Sequence, residues 1–215
     1  MDIAIPIFDR ITALDAVGPY EVLSRLPGAR VRWVAIQAGT YKTDNRMLTM
    51  TADEPISAVP HPEIIVVPGG FGTRDLMTPN PLLDWIRAAH ETSQWTTSVC
   101  TGSLLLGAAG LLTGLDATSH WAALDDLAAL GAKPTLERVV ERGKIITAAG
   151  VSSGIDMALR LAAHIAGDEF AQGIQLGIEY DPQPPFRAGS PKTAPPHIVE
   201  RLRQRTRERL AQARA

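Results

Sequence analysis

The only cysteine of this sequence stands in the segment best suited to chemistry, TTSVCTGS at residues 96–103. The pattern predicts an apolar strand that ends at Cys100 and a helix that opens with small residues, the arrangement of a nucleophile elbow. The free N–H groups at the helix N-terminus would lower the pKa of the thiol. A free cysteine is more often an inert buried residue, but the turn and a nearby glycine loop favour the catalytic interpretation.

That glycine loop, PGGFG at residues 68–72, follows a run of four apolar residues. In an open α/β sheet, ligands bind beyond the carboxyl ends of the strands. The N–H groups of Gly69 and Gly70, with that of Thr101, are therefore candidate donors to an oxyanion. A phosphate site is the competing interpretation, but the P-loop lysine and the dinucleotide spacing are missing. For Phe71 and Gly72, the last two residues of the loop, a simple turn without a binding role stays an alternative interpretation.

Two carboxylates follow the first predicted strand. Asp15 lies among apolar residues, and Glu21 falls on the following helix, where we expect it to be exposed. A carboxyl group beside a thiolate would have a raised pKa and could hold or move a proton. Asp15 could equally be a helix N-cap, which is a common role for aspartate.

His120 is the histidine closest in sequence to Cys100 on its carboxyl side. It could act as a base toward the thiol or pack at the start of a helix, and the sequence leaves both open. The other histidines, His61, His90, His164 and His197, are expected to be structural or exposed. No metal-ligand spacing occurs in the sequence.

The elements that must position these residues alternate between strands and helices over the first two thirds of the chain. Strands are predicted at 2–8, 31–36, 63–67 and 95–99, hairpins within 41–51 and 139–148, and helices at 82–91, 101–110, 154–166 and 169–179. Another helix is predicted within 13–24, beginning near Pro19 after an irregular loop that holds Asp15. The alternation predicts an α/β fold with a parallel sheet and helices on both faces.

The composition is that of an ordinary globular protein, with 215 residues, 45% of them hydrophobic and 20% charged. The formal net charge is −2, so no overall basic field exists to hold nucleic acid or an anionic membrane. One cysteine cannot form an internal disulfide, which fits a reduced cytoplasmic setting. The N-terminal residues predict a strand and no export signal, and no apolar run is long enough to span a bilayer.

The chain is expected to form one α/β domain over residues 1–190 and a basic helix within 191–215. Ile198 and Leu202 fall on one stripe of that helix, which is predicted over 197–213. We expect the stripe to dock on the same domain or on a dimer partner. The helix should bind duplex DNA only weakly and without sequence preference.

Four motifs together resemble the ThiJ/PfpI superfamily, which is related to the class I glutamine amidotransferases. They are LDAVGP at 14–19, PGGFG at 68–72, VCTG at 99–102 and TSHW at 118–121. The resemblance runs from Asp2 to about Pro191, and the stretch 174–186 is most similar to the isocyanide hydratases. The superfamily commonly pairs its cysteine with glutamate, whereas Asp15 stands here, as in the isocyanide hydratases.

The resemblance implies a flavodoxin-like three-layer sandwich with a mostly parallel central sheet, a homodimer and no cofactor. Cys100 would be the nucleophile, Asp15 its acid/base partner, and Thr101 and Gly70 the backbone donors. His120 matches a superfamily histidine whose role stays open. The implied reaction adds water to an isocyanide and gives an N-substituted formamide through a cysteine thioimidate.

Two other functions stay open at the level of the sequence. One is a glyoxalase- or deglycase-like activity on 2-oxoaldehydes, and the other is a small-molecule or oxidation sensor without turnover, since an exposed low-pKa thiol oxidises readily. Transcription regulators share the motif around Asp15 but add a helix-turn-helix domain. The roughly thirty residues after Pro185 are too few for such a domain.

Overall fold

The computed structural model describes residues 1–212 and contains a central sheet of seven strands. The strands of the described chain are β1 (Asp2–Pro6), β2 (Arg30–Ala35), β3 (Gly39–Lys42), β4 (Thr49–Ala52), β5 (Glu54–Pro55), β6 (Ile64–Val67), β7 (Trp95–Val99), β8 (Asp116–Ala117), β9 (Lys133–Pro134), β10 (Val139–Arg142) and β11 (Ile145–Ala148). The α-helices are α1 (Ala13–Leu23), α2 (Pro81–Thr92), α3 (Gly102–Ala108), α4 (Leu124–Ala129), α5 (Ser153–Ala166), α6 (Asp168–Gly177) and α7 (Pro196–Gln212). Short 3-10 helices cover Ile56–Ala58, Phe71–Leu76 and Trp121–Ala123.

The central sheet has the strand order β10-β11-β7-β6-β1-β2-β5. Its neighbouring strands are parallel except for the edge pair β10 and β11. Strands β3 and β4 form a separate antiparallel hairpin, and β8 pairs with β9 in a small parallel sheet. Helices flank the mostly parallel sheet, which confirms the predicted flavodoxin-like α/β fold.

The centre of the sheet is buried on both faces. All four residues of β6, Ile-Ile-Val-Val, are buried, as expected for a parallel strand covered by helices. Strand β7 is also buried but carries hydroxyl groups, and Thr97 Oγ1 donates to the carbonyl of Ile65 at 3.0 Å. Because β6 and β7 are parallel with Val67 opposite Ser98, the loop after β6 and the residue after β7 emerge side by side.

Helix α3 lies unusually close to β6, and glycine makes this possible. A Cβ atom built on Gly102 would lie 2.0 Å from the carbonyl oxygen of Val67. The first turn of the helix therefore rests directly on strand backbone. This contact fixes where the helix begins relative to the residue that precedes it.

Helix α1 begins earlier than predicted. It starts at Ala13 and contains Pro19 in its interior, so the expectation of an irregular loop around Asp15 is wrong. The residue before a proline normally avoids helical geometry because its Cβ meets the proline ring. Gly18 has no Cβ, which removes that clash and also lets α1 approach Ile155 of α5, where a Cβ on Gly18 would lie 3.1 Å from Cγ1.

Most other predicted elements occur within a few residues of their expected ends, including the hairpin of β10 and β11.

The chain divides into two units between Glu179 and Tyr180, and the first unit holds the central sheet. The second unit contains α7, which ends at Gln212, so the predicted helix end at Ala213 lies outside the described residues. The docking of this helix stays a prediction.

None of the helices within residues 1–212 combines the length and apolar character needed to cross a membrane.

The close approach of α3 to β6 gives a stability prediction. We expect Gly102→Ala to lower the free energy of unfolding by about 3 kcal/mol, because the added methyl group meets backbone that cannot move aside. The matched control is Gly173→Ala in α6, where a Cβ meets nothing within 4 Å. That change should raise stability by about 0.5–1 kcal/mol. Urea unfolding of the three proteins measures both effects, and equal stabilities would contradict the packing argument.

Candidate active site

The backbone of Cys100 is held in a conformation that non-glycine residues rarely adopt. Its φ is 56°, and it forms the sharp turn that was predicted between β7 and α3. Its N–H donates to the carbonyls of Ala148 and Ala149 at 3.0 and 3.1 Å. Its carbonyl accepts from the hydroxyls of Ser103 and Ser119 at 3.1 and 3.0 Å. These four hydrogen bonds maintain a left-handed residue that would otherwise relax.

The Cys100 side chain meets the carboxyl group of Asp15 inside the protein. Cys100 is 5% exposed and Asp15 is fully buried. Oδ2 of Asp15 accepts from the N–H of Gly69 at 3.0 Å, and the carboxyl group interacts with the Cys100 thiol. Oδ1 accepts no hydrogen bond of regular geometry from the described residues. The structure therefore brings together the predicted nucleophile and its predicted acid.

Asp15 does not cap α1. The N-cap is Thr12, and Asp15 lies in the first turn with its carboxyl directed to another element. The alternative of an N-cap aspartate is therefore wrong. Glu21 forms an exposed ion pair with Arg25 at 2.9 Å, as its predicted surface position implies.

Burial controls the protonation of the pair. It raises the pKa of Asp15 to about 7, although the Cys100 thiol and the Gly69 N–H lower this pKa and the charge of Asp44 raises it further. Burial also raises the pKa of Cys100, and the Asp15 carboxylate adds to that increase. Because each anion disfavours the other, the pair retains at least one proton near neutral pH.

The pKa of the Cys100 thiol is raised. The expectation that the helix N-terminus would lower this pKa is therefore wrong. The N–H of Thr101 and the charge of Arg74 do lower the pKa of Cys100, but burial and Asp15 outweigh them. Helix α3 has only seven residues, so its dipole is small compared with the cost of placing an anion away from water.

The N–H groups of Gly69 and Gly70 in the glycine loop donate to other groups of the protein. The N–H of Gly69 serves Asp15, and the N–H of Gly70 donates to Thr101 Oγ1 at 2.9 Å. The Thr101 hydroxyl is also 3.0 Å from the carbonyl of Gly70. Both glycine donors therefore have partners other than the predicted oxyanion, whereas the N–H of Thr101 is directed to the Cys100 sulfur.

Both glycines are required by the space around them. A Cβ on Gly69 would lie 2.8 Å from Oδ2 of Asp15, and one on Gly70 would lie 2.4 Å from the carbonyl oxygen of Arg10. Gly70 also has a φ of 137°, which disfavours any other residue. The last two residues of the loop, left open as a simple turn, begin the 3-10 helix Phe71–Leu76.

His120 caps the 3-10 helix Trp121–Ala123. Its Nδ1 accepts from the N–H of Ala122 at 3.2 Å, and burial, with the charge of Arg74, lowers its pKa. Its ring packs so tightly on Gly150 that a Cβ there would lie 2.4 Å from Cδ2. These contacts favour the alternative of a packed histidine at a helix start, since the thiol already has Asp15 as its proton partner.

The remaining histidines make structural contacts or lie exposed. His90 is 2.8 Å from Thr96 Oγ1, and His164 stacks on Trp95 and lies 3.0 Å from a carboxylate oxygen of Glu141. Within residues 1–212, no three His, Cys, Asp or Glu side chains form a group suited to a metal ion.

Three residues of the site escaped the sequence analysis. Ser103 and Ser119 hold the Cys100 carbonyl, and Arg74 contributes a positive charge near the thiol. Both serines stand inside motifs of the sequence, TTSVCTGS and TSHW, but neither was predicted to hold the backbone of Cys100. Arg74 follows the glycine loop by two residues but gave no signal, because its charge acts on Cys100 only once the fold brings the two side chains near each other.

Comparisons with known proteins agree with this geometry. The sequence model of the DJ-1/PfpI family matches residues 1–164. The chain is 43% identical over 207 residues to an isonitrile hydratase of Pseudomonas putida, covering 95% of this chain and 90% of that protein. It is 31% identical to an HTH-type transcriptional regulator of Pseudomonas aeruginosa, covering 78% of this chain but only 50% of the regulator.

A solved structure has the same fold over almost the whole chain. The crystal structure of a ThiJ/PfpI family protein from Pseudomonas syringae superposes with a TM-score of 0.92 and 37% identity, covering 96% of this chain and 86% of that one. The family match, the identity to relatives and the shared fold lead to one conclusion. The chain belongs to the DJ-1/PfpI family.

Proposed function

We propose that the protein is an isonitrile (isocyanide) hydratase, an enzyme that needs no cofactor and works through Cys100. The buried pair of Cys100 and Asp15 carries this proposal, because the reaction needs a nucleophile and one transferable proton at the same carbon. The identity of 43% to the Pseudomonas putida isonitrile hydratase supports the choice of substrate class.

The first half of the reaction uses the proton that the pair already holds. The Cys100 sulfur bonds to the terminal carbon of R–N≡C while Asp15 passes the thiol proton to that same carbon. The product is a thioimidate, R–N=CH–S–Cys, and Asp15 is left as a carboxylate. Since the pKa of Asp15 is raised to about 7, it accepts and releases protons with little cost near neutral pH.

The second half consumes one water molecule. Asp15 removes a proton from water as the oxygen bonds to the thioimidate carbon, and then passes that proton to the substrate nitrogen. The tetrahedral product collapses when the carbon–sulfur bond breaks, and the hydroxyl proton returns to the Asp15–Cys100 pair. The net change is R–N≡C plus H₂O giving R–NH–CHO.

The backbone around the pair has two supporting roles in this proposal. The N–H of Thr101 stabilises negative charge on the sulfur or on the oxygen that adds to the carbon. The N–H groups of Gly69 and Gly70 hold Asp15 and the Thr101 hydroxyl in place. Donation from these glycines to an oxyanion would require their present partners to move.

We also propose that the protein is a homodimer of the cytoplasm with no nucleic-acid or membrane partner. Large apolar side chains remain exposed on the chain, including Leu176 at 79% and Phe186 at 76%. Covering such side chains with a second copy of the chain would remove apolar surface from water. A reducing cytoplasm would keep the reactive thiol free.

Light scattering tests the assembly. We expect a mass twice that of the chain at micromolar concentration, unchanged by duplex DNA at physiological salt. A monomeric mass, or a sequence-specific DNA complex that resists salt, would contradict this part of the proposal.

Turnover of an aryl or alkyl isocyanide, followed by the appearance of the formamide, tests the proposed reaction directly. We expect Cys100→Ser and Cys100→Ala to abolish turnover while circular dichroism shows an intact fold, since the sulfur forms the covalent bond. Methylglyoxal serves as the comparison substrate for the 2-oxoaldehyde alternative. Turnover of methylglyoxal alone would support that alternative, and turnover of neither would support a sensor.

Asp15→Asn separates the catalytic role of Asp15 from its cost to the fold. The amide cannot carry the proton, so we expect kcat to fall by roughly 10²–10⁴-fold. Asp15→Glu, which keeps the carboxyl group, should be affected less. Kinetics of Asp15→Asn close to those of the wild type would rule out the acid/base role.

The same variant should be more stable than the wild type at pH 8. Since burial raises the pKa of Asp15 from 3.8 to about 7, the folded state binds its proton more tightly than the unfolded state. Stability from this group is therefore present below pH 4 and is lost as the pH rises to about 7, by about 4 kcal/mol. Urea unfolding from pH 4 to 8 should show this loss in the wild type and not in Asp15→Asn.

A further inference from the structure

Arg74 follows the glycine loop of the active site, and one of its side-chain nitrogens has no hydrogen-bond partner among the described residues. It lies in the 3-10 helix Phe71–Leu76, directly after the glycine loop, and its side chain is 18% exposed. Its Nε is buried and has no hydrogen-bond partner among the described residues. Buried donors are nearly always paired in folded proteins, so an arginine with a purely structural role would be expected to satisfy this one.

The other two nitrogens of the Arg74 guanidinium connect the protein surface to the site. One, Nη2, lies 3.2 Å from a carboxylate oxygen of the half-exposed Asp126. The other, Nη1, donates to Thr73 Oγ1 at 3.4 Å. Thr73 Oγ1 in turn lies 3.2 Å from Thr101 Oγ1 and 2.8 Å from the carbonyl of Gly70. A chain of polar contacts thus leads from Asp126 to the residue whose N–H faces the thiol.

The charged groups around Cys100 come from different elements. Asp15 approaches from α1 and Arg74 from the 3-10 helix. Asp44 acts on Asp15, and His120 lies within the field of Arg74. Asp15 disfavours negative charge on the sulfur, whereas the charge of Arg74 favours it and lowers the pKa of the thiol. Among the described residues, the charge of Arg74 therefore opposes the effects of Asp15 and of burial at this sulfur.

We propose that Arg74 is a positioning residue of the enzyme, a cation held by Asp126 and Thr73 that stabilises negative charge on the Cys100 sulfur. Its role in turnover rests on the proposed hydratase function, but its effect on the thiol does not. Negative charge develops on the sulfur twice, when the proton leaves Cys100 and when the carbon–sulfur bond of the tetrahedral product breaks.

The rate of alkylation by iodoacetamide measures this effect without any isocyanide, because Cys100 is the only cysteine. Only the thiolate reacts, so the rate at pH 7.5 reports the thiolate fraction. We expect Arg74→Met to slow alkylation by about 3- to 10-fold, which corresponds to a thiol pKa higher by about half a unit to one unit. Raising the pH should restore the rate, and kcat/KM for an isocyanide at pH 7.5 should fall by a similar factor.

Three further variants distinguish the charge from the packing. Arg74→Lys keeps the charge and should retain alkylation within about twofold of the wild type. Asp126→Asn keeps an oxygen that can accept from the guanidinium and removes only the negative charge, so Arg74 should stay in place and alkylation should not slow. Arg87→Met is the control, since Arg87 pairs with Asp84 on α2 and is not among the charges that act on the thiol, and it should leave both rates unchanged.

A purely structural role for Arg74 predicts a different pattern. Arg74→Met would then lower the thermal midpoint without changing the alkylation rate or its dependence on pH, and that result would overturn the proposal. Slower alkylation equal in Arg74→Met and Arg74→Lys would also overturn it, because the charge would not be the cause. If the alkylation pattern holds but no isocyanide is turned over, the hydratase assignment fails and the effect of Arg74 on the thiol stands.

Discussion

A carboxyl group and a thiol that share one proton in a buried site set strict conditions on the backbone around them. Away from water, neither Asp15 nor Cys100 ionises easily, and each ionises less easily when the other is charged. The pair is stable because only one negative charge is present at a time. The same condition makes its proton transferable, which is what addition to an isocyanide carbon requires.

The elbow geometry follows from the need to bring these two groups together. Cys100 adopts a φ of 56°, and four hydrogen bonds to its backbone hold that conformation. Helix α3 can begin immediately afterwards because Gly102 rests on the backbone of β6. Asp15 reaches the thiol from α1, and the N–H of Gly69 fixes one of its oxygens. The strained backbone of Cys100 is thus held in place by the packing of the three elements around it.

The electrostatics of the site depend on the balance between burial and a few fixed charges. A helix N-terminus was expected to dominate, but α3 is too short and Cys100 too buried for that. The N–H of Thr101 and the charge of Arg74 act in the same direction and only moderate the effect of burial. In our proposal, Asp126 and Thr73 hold the Arg74 guanidinium whose charge acts on the Cys100 sulfur.

The sequence by itself determined the α/β fold and the sharp turn at Cys100, because strand runs, glycine and small residues are local signals. The pairing of Cys100 with Asp15 followed only from the family resemblance, since the residues alone left a helix N-cap equally open. It did not reveal that α1 continues through Pro19, since this depends on Gly18 approaching Ile155. The protonation of the thiol and the place of Arg74 were decided only by the tertiary structure. Burial and charge proximity arise between residues far apart in the chain, and no local pattern records them.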